Sequence, residues 1–253
     1  MKSILDGQHL SMIEYLREKY PHLSLNLDNL AKDNLNVLKG TTIIAIKFKD
    51  GVVMASDGQA TAGYYKVFND FEKLKQIEKR TIIAIAGNPA ISIAICDSMK
   101  AEIKKWNRVY STKLSTEGKV NRLSRILLNN MSLTAAGIVM MPIFATFEIE
   151  TKKPRIFHFS SDGSYKEQDY CAEGSGGPTA ATVIAEHYSK NLNSEKAIEI
   201  SIRALRAAHN VDAATGENLF VKLIDKDGVL EFTRPDRINK LLSAFNFNNK
   251  EEK

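Results

Sequence analysis

Residues Thr41 to Asp57, TTIIAIKFKDGVVMASD, carry two apolar runs divided by Asp50-Gly51, the signature of an antiparallel β-hairpin. A hairpin fixes chain direction, register and facing residues together, so no other segment constrains the fold as tightly. With Asp50-Gly51 as a two-residue turn, Lys49 faces Val52 and opposed residue numbers sum to about 101. That register sets Thr41 across from Ala60 and brings the Asp57 carboxylate within a few residues of the strand start. A carboxylate there can orient cationic groups and stabilise their charge. An acid before Gly58 equally suits a plain strand-end turn.

Gly40 immediately precedes Thr41. If the Gly40–Thr41 bond is cut, Thr41 carries a hydroxyl nucleophile and a free amine on one residue. The amine can then act as base for the hydroxyl. The dipeptide alone is also an ordinary strand entry.

Beyond the hairpin, Thr81–Gly87 is a short apolar run suited to a buried strand. Pro89 fits a first helical turn, and Ile91, Ile95, Met99 and Ile103 recur at helical spacing up to Trp106. A second helix is predicted over Lys119–Ala136, with Val120, Leu123, Ile126 and Leu127 on one face. Strands follow at Pro142–Glu150 and Arg155–Ser160, with a turn at Asp162-Gly163. Helices are predicted at Thr179–Tyr188 and Ser194–His209. A final hairpin spans Leu219–Phe232 around Asp227-Gly228, then a helix over Asp236–Phe245 and a disordered tail at 246–253. Strands, two helices, strands, two helices, strands: this order predicts an α+β fold with mostly antiparallel sheets and a helix pair on each outer face.

Residues 1–40 differ in kind. One amphipathic stretch, Met12–Arg17, breaks at Pro21, and the spaced Leu23, Leu25, Leu27 and Leu30 are too few for a core of their own. They read as a leader, with residues 41–253 as the globular part.

Of the 253 residues, 43% are hydrophobic and 26% charged, the profile of a water-soluble globular protein. No run approaches eighteen apolar residues, so no membrane span is expected. Asp6, His9, Glu14 and Arg17 interrupt the N-terminal apolar residues, which argues against a secretory signal. Cys96 and Cys171 supply neither a disulfide framework nor metal-ligand spacing. No metal or cofactor is expected, and the setting expected is cytoplasmic. The net charge of +5 is spread along the chain without a basic block interleaved with aromatics, which argues against nucleic acid.

Ordered motifs then carry a resemblance. Gly40-Thr41-Thr42, Asp50-Gly51-Val52-Val53, Ala55-Ser56-Asp57, Ala60-Thr61-Ala62-Gly63, Lys73 and Ala86-Gly87 resemble the opening of a proteasome β subunit. Gly174-Ser175-Gly176-Gly177 and Asp212-Ala213-Ala214-Thr215-Gly216 resemble later motifs of that family, in the same order. Lys119-Val120-Asn121-Arg122-Leu123 is similar to the bacterial, actinobacterial-type 20S subunits. Each motif is weak singly; their order is specific.

The resemblance implies a four-layer αββα N-terminal nucleophile hydrolase sandwich and a threonine endopeptidase acting on unfolded proteins. Thr41 would be the nucleophile, exposed when a propeptide of residues 1–40 is removed by autocleavage at Gly40–Thr41. Asp57 and Lys73 correspond to the acid and lysine beside it, Ser175 to the serine near the amine, and Asp212 and Thr215 to the family's Asp and Ser. Gly87 corresponds to the oxyanion-hole glycine, and Thr61 to a residue pairing with substrate backbone. Ala60, Phe71, Lys75 and Ile85 fall at the primary pocket, and Ile85 at its base implies cleavage after apolar residues. Homomeric, heptameric β rings, α-subunit rings and an ATPase unfoldase are the implied partners.

The chain departs from the 20S pattern at Gly58-Gln59, where those subunits carry an arginine-containing step. Asp57-Gly58-Gln59-Ala60-Thr61 and Gly174-Ser175-Gly176-Gly177-Pro178 look instead like the simpler HslV-type bacterial peptidase. Three alternatives stay open: an HslV-type subunit, a non-catalytic ring subunit, and an amidohydrolase of the same nucleophile class acting on a small amide.

Overall fold

A computed structural model describes residues 41–62, 65–135 and 138–232. The chain runs β1 (Thr42–Phe48), β2 (Gly51–Asp57), β3 (Ala60–Ala62), β4 (Tyr65–Phe68), β5 (Leu74–Glu78) and β6 (Thr81–Gly87). Helices α1 (Pro89–Tyr110), α2 (Thr116–Asn129) and the short α3 (Met131–Ala135) follow. Then come β7 (Met140–Glu148), β8 (Lys153–Phe159), β9 (Tyr165–Gln168) and β10 (Tyr170–Gly174). Helices α4 (Gly177–His187) and α5 (Ser194–Val211) precede β11 (Leu219–Ile224) and β12 (Val229–Glu231).

Two five-stranded sheets form, ordered β10-β1-β2-β11-β12 and β5-β6-β7-β8-β9, with β3-β4 as a separate short pair. Among the described residues every pairing is antiparallel. Ile43, Ala45, Met54, Leu74, Ile82 and Ile143 fill the layer between the sheets. Ile44, Ile46, Val53 and Ala55 pack on the opposite face with residues of α4 and α5. Ile83, Phe144 and Phe157 pack with α1 and α2. The expected αββα sandwich is therefore present. Strand β1 reads as a continuous apolar run because both of its faces are buried.

The hairpin register departs from expectation. Phe48 faces Gly51 and Ile43 faces Ser56, so the turn is Lys49-Asp50 and not Asp50-Gly51. Gly51 serves close packing: a Cβ there would meet Ile224 O at 2.2 Å and the Phe48 ring at 2.6 Å. The turn is anchored where the Lys49 N–H donates to Leu192 O at 2.9 Å. A two-residue slip keeps every side chain on its expected face, since the strand period is two. It brings Asp57 level with Thr42.

Helix ends follow their caps. Asn88 Oδ1 accepts from the N–H groups of Ala90 and Ile91 at 3.0 and 3.3 Å, with Pro89 next in line. Ser115 caps α2 by accepting from the Gly118 N–H at 3.0 Å, which starts that helix before Lys119. The single helix expected over Lys119–Ala136 breaks at Asn130, whose N–H returns to Leu127 O at 3.0 Å. Strands β3, β4, β5, β9 and β10 had no sequence expectation. β9, Tyr-Lys-Glu-Gln, lacks any apolar alternation and is a strand only because β8 pairs with it. The leader 1–40, the helix expected over Asp236–Phe245 and the tail 246–253 lie outside the described residues.

Both cysteines are buried and unbridged, and burial pushes the Cys96 thiol up to about 12. Among the described residues no helix is long and apolar enough to cross a membrane.

Candidate active site

Thr41 stands one residue before β1 and is 5% exposed. Pairing of β1 with β10 sets Thr42 opposite Gly174, so the residue after β10, Ser175, comes beside Thr41. The Thr41 backbone nitrogen lies 3.3 Å from Ser175 Oγ, to which its N–H donates. Gly174 makes this approach possible: at φ +97°, a Cβ would lie 1.8 Å from Thr41 O. Only glycine fits a left-handed backbone against another carbonyl. Gly174→Ala is expected to cost at least about 1–3 kcal/mol of stability from backbone strain alone, and to displace Ser175. Chemical denaturation of the variant against the parent checks it.

The Asp57 carboxylate, fully buried at the end of β2, has four donors. Its Oδ1 accepts from the Thr42 N–H at 2.7 Å and from Lys73 Nζ at 2.6 Å. Its Oδ2 accepts from the N–H groups of Gln59 and Gly216 at 2.9 and 3.0 Å. A buried ion pair persists only when its remaining hydrogen-bonding capacity is also met. The Asp57 carboxylate meets that condition on both oxygens. Burial pulls Lys73 below the usual lysine value, opposed by the charge and hydrogen bond of Asp57 and by the charge of Asp212. Lys73 precedes β5 of the second sheet. The ion pair thus bridges the mouth between the sheets, and Asp57 joins the lysine to the Thr41–Thr42 peptide.

The third contribution comes from the loop after α5. Asp212 Oδ2 accepts from Ser175 Oγ at 2.5 Å and from Thr215 Oγ1 at 2.7 Å, while Oδ1 accepts from the Ala214 N–H at 3.0 Å. Thr215 Oγ1 also lies 2.7 Å from Thr42 Oγ1. Because Thr215 donates to Asp212, the Thr42 hydroxyl must donate to Thr215. Partial burial raises the Asp212 pKa, but the Ser175, Thr215 and Ala214 hydrogen bonds and the Lys73 charge outweigh it, holding the carboxyl below the usual range. The Ser175 proton is committed to Asp212, so its oxygen faces Thr41 as an acceptor.

Thr41, Asp57, Lys73, Ser175, Asp212 and Thr215, singled out from sequence, thus converge on one spot. Three participants had no functional reading. Thr42 supplies both an N–H to Asp57 and a hydroxyl to Thr215. Gly216 supplies an N–H to Asp57 across a separation of 159 residues. Gln59, only 2% exposed, donates through Nε2 to Ala213 O at 3.1 Å. It ties the Asp57 turn to the Asp212–Thr215 loop, within the Gly58-Gln59 step where the sequence departs from the 20S pattern. The one signal for Gln59 was that departure, and its burial makes it a staple.

The residues expected at a substrate pocket lie nearby in sequence and are less concentrated. Ala60 on β3 is 5% exposed, and Thr61 is its strand neighbour. Phe71 and Lys75 pair, with Nζ 5.3 Å from the ring centroid. Ile85 on β6 is 4% exposed and belongs to the helix-side core with Ile95 and Cys96. Gly87 ends β6 at φ +137°, where a Cβ would meet Val139 O at 2.3 Å.

A family model described as proteasome subunit matches residues 37–224. A protein named proteasome subunit beta from Streptomyces griseus is 32% identical over 178 residues, covering 70% of this chain and 63% of its own. One of the same name from Acidimicrobium ferrooxidans is 33% identical over 197 residues, 75% of this chain and 72% of its own. Another from Frankia casuarinae is 29% identical over 208 residues, 81% and 76% respectively. The chain spans about 63% of the length of the Streptomyces relative and of a Thermomonospora curvata relative named proteasome subunit beta 2. With the sandwich, the buried acid–lysine pair and this similarity in hand, the chain belongs to the proteasome subunit family.

Proposed function

We propose that this chain is the catalytic β subunit of a bacterial proteasome core particle, a threonine endopeptidase that hydrolyses peptide bonds of unfolded proteins. One observation carries the reading: the Asp57–Lys73 pair and the Ser175–Asp212–Thr215 network meet on the two peptide units at Thr41 and Thr42. A strand entry without chemistry to perform needs no buried lysine and two carboxylates around it.

The chemistry has two stages. In maturation, the Thr41 hydroxyl attacks the Gly40 carbonyl and the peptide bond passes to an ester. Water then hydrolyses the ester, releasing residues 1–40 and leaving a free α-amine on Thr41. In turnover, that amine takes the hydroxyl proton as the oxygen attacks the scissile carbonyl. Ser175 accepts from the amine without competing for its lone pair, since the serine proton goes to Asp212. Lys73 favours ionisation of the hydroxyl, and Asp57 keeps Lys73 charged and placed. The Gly87 N–H stabilises the oxyanion; losing one such donor costs about 2.7–4 kcal/mol in the barrier. The α-ammonium so formed gives its proton to the leaving nitrogen as the C–N bond breaks, and the regenerated amine takes the proton of the water that hydrolyses the acyl-enzyme ester.

Substrate would add as a strand beside Thr61. Ala60, Phe71, Lys75 and Ile85 would line the primary pocket, favouring cleavage after apolar residues. Heptameric β rings between α-subunit rings, fed by an ATPase unfoldase in the cytoplasm, complete the reading.

Intact mass and N-terminal sequencing of the assembled particle test it, together with a peptide panel and a threonine-directed covalent inhibitor. A mature chain starting at Thr41, and labelled there, is expected. An active particle that retains residues 1–40 would overturn the mechanism. The pH profile gives a further expected result. The amine must be neutral to act as base, so the rate rises with pH through its ionisation. The Lys73 charge lowers that midpoint below the usual range of about 7.7–8.0. A midpoint above 8 would count against Lys73 as the neighbouring charge.

A further inference from the structure

Lys222 lies on β11, opposite Met54 of β2, and shares the face of that strand that looks into the layer between the sheets. Its side chain is 8% exposed, among residues such as Met54 and Ile224. A lysine in such a layer carries a desolvation cost, and an apolar residue of similar volume is commonly as stable or more so. Yet Nζ reaches two groups that flank one residue: it donates to the Leu74 carbonyl at 3.3 Å and pairs with the Glu72 carboxylate. The residue between them is Lys73, whose own Nζ turns to Asp57.

We propose that Lys222 is a positioning residue for Lys73, clamping the backbone at 72–74 so that the Lys73 ammonium is held at Asp57 and the Thr41 site. The inference rests on the proposed peptidase reading. Three strands supply the parts. β2 carries Asp57, β5 follows directly from Lys73, and β11 reaches from the sheet of the acid to the entry of the sheet of the lysine. Without Lys222 the 72–74 segment keeps its β5 pairing from Leu74 onward, where Leu74 faces Ala84. Lys73 precedes that pairing, and among the described residues its side chain is held through the ion pair to Asp57. Lys222 touches neither the nucleophile nor the reacting atoms, so its effect falls on turnover and not on substrate capture.

The test uses the assembled full chain carrying Lys222→Met, Lys222→Arg, Glu72→Ala or, as control, Lys73→Ala. Lys222→Met should fold and assemble, and its kcat should fall on the order of 10- to 100-fold with KM little changed, the scale for about 1 Å of misplacement. Lys222→Arg, which keeps both contacts within reach, should recover most of that loss. A Lys222→Met particle with the parent's kcat overturns the clamp, as does a loss confined to KM. If Lys222→Met does not assemble, Glu72→Ala decides: a fall in kcat supports the clamp, and an unchanged kcat overturns it. An inactive parent, or an active Lys73→Ala control, brings down the peptidase reading and the clamp together. An active parent, a dead Lys73→Ala and an unaltered Lys222→Met bring down the clamp alone.

Discussion

Replacing Thr41 with alanine is expected to lower peptide hydrolysis on the order of 10⁶-fold, the scale seen when a protease loses its nucleophile. The same variant should keep residues 1–40, because the proposed mechanism uses one hydroxyl for maturation and turnover. The fold should survive, since Thr41 precedes β1 and its backbone contacts to Ser175 do not need the side chain. Mass spectrometry and a peptide assay on the same preparation read both effects. A Thr41→Ala particle that sheds its leader would assign the cleavage to another agent. One that hydrolyses peptides would remove Thr41 from the mechanism.

Asp57→Asn should produce the second large effect, on stability and rate together. The carboxylate faces donors on both oxygens: Thr42 N–H and Lys73 Nζ on one, the Gln59 and Gly216 N–H groups on the other. A carboxamide must turn its NH₂ toward one of these pairs, setting donor against donor, and leaves Lys73 buried without its ion-pair partner. Breaking a buried pair in this way costs about 3–5 kcal/mol. Denaturant titration should register that loss, and kcat should fall with it because Lys73 is no longer held. A loss below about 1 kcal/mol would mean that the pair is solvated and the enclosed site described above is wrong.

The difference between what was legible in the chain and what was not is physical. The layers were legible because β1 and β6 are short apolar runs, while α1 and α2 repeat apolar residues at helical spacing. The segments that form β3, β4, β5, β9 and β10 were not, because their strand character comes from the neighbour they pair with. Glycine at position 51 misled the turn assignment: in isolation Asp-Gly is a turn signal, but here the Ile224 carbonyl claims the space a Cβ would occupy. The hairpin closed one residue earlier, and Asp57 met Thr42. At the site, Thr41, Asp57, Lys73, Ser175, Asp212 and Thr215 could be named from ordered motifs. Gln59, Thr42, Gly216 and Lys222 could not, since each matters only through a partner brought from another element.

The sequence by itself determined the αββα layering, through the order of strands and helices, and it named Thr41, Asp57 and Lys73 as the candidate site residues, through the order of motifs that resemble the family's. The tertiary structure decided the register that seats Asp57 beneath Thr42. It also decided the close approach at Gly174 that lets Ser175 reach Thr41, and the direction of each hydroxyl proton in the Thr42–Thr215–Asp212–Ser175 network. Those depend on distances between atoms up to 173 residues apart, which only a packed chain can set.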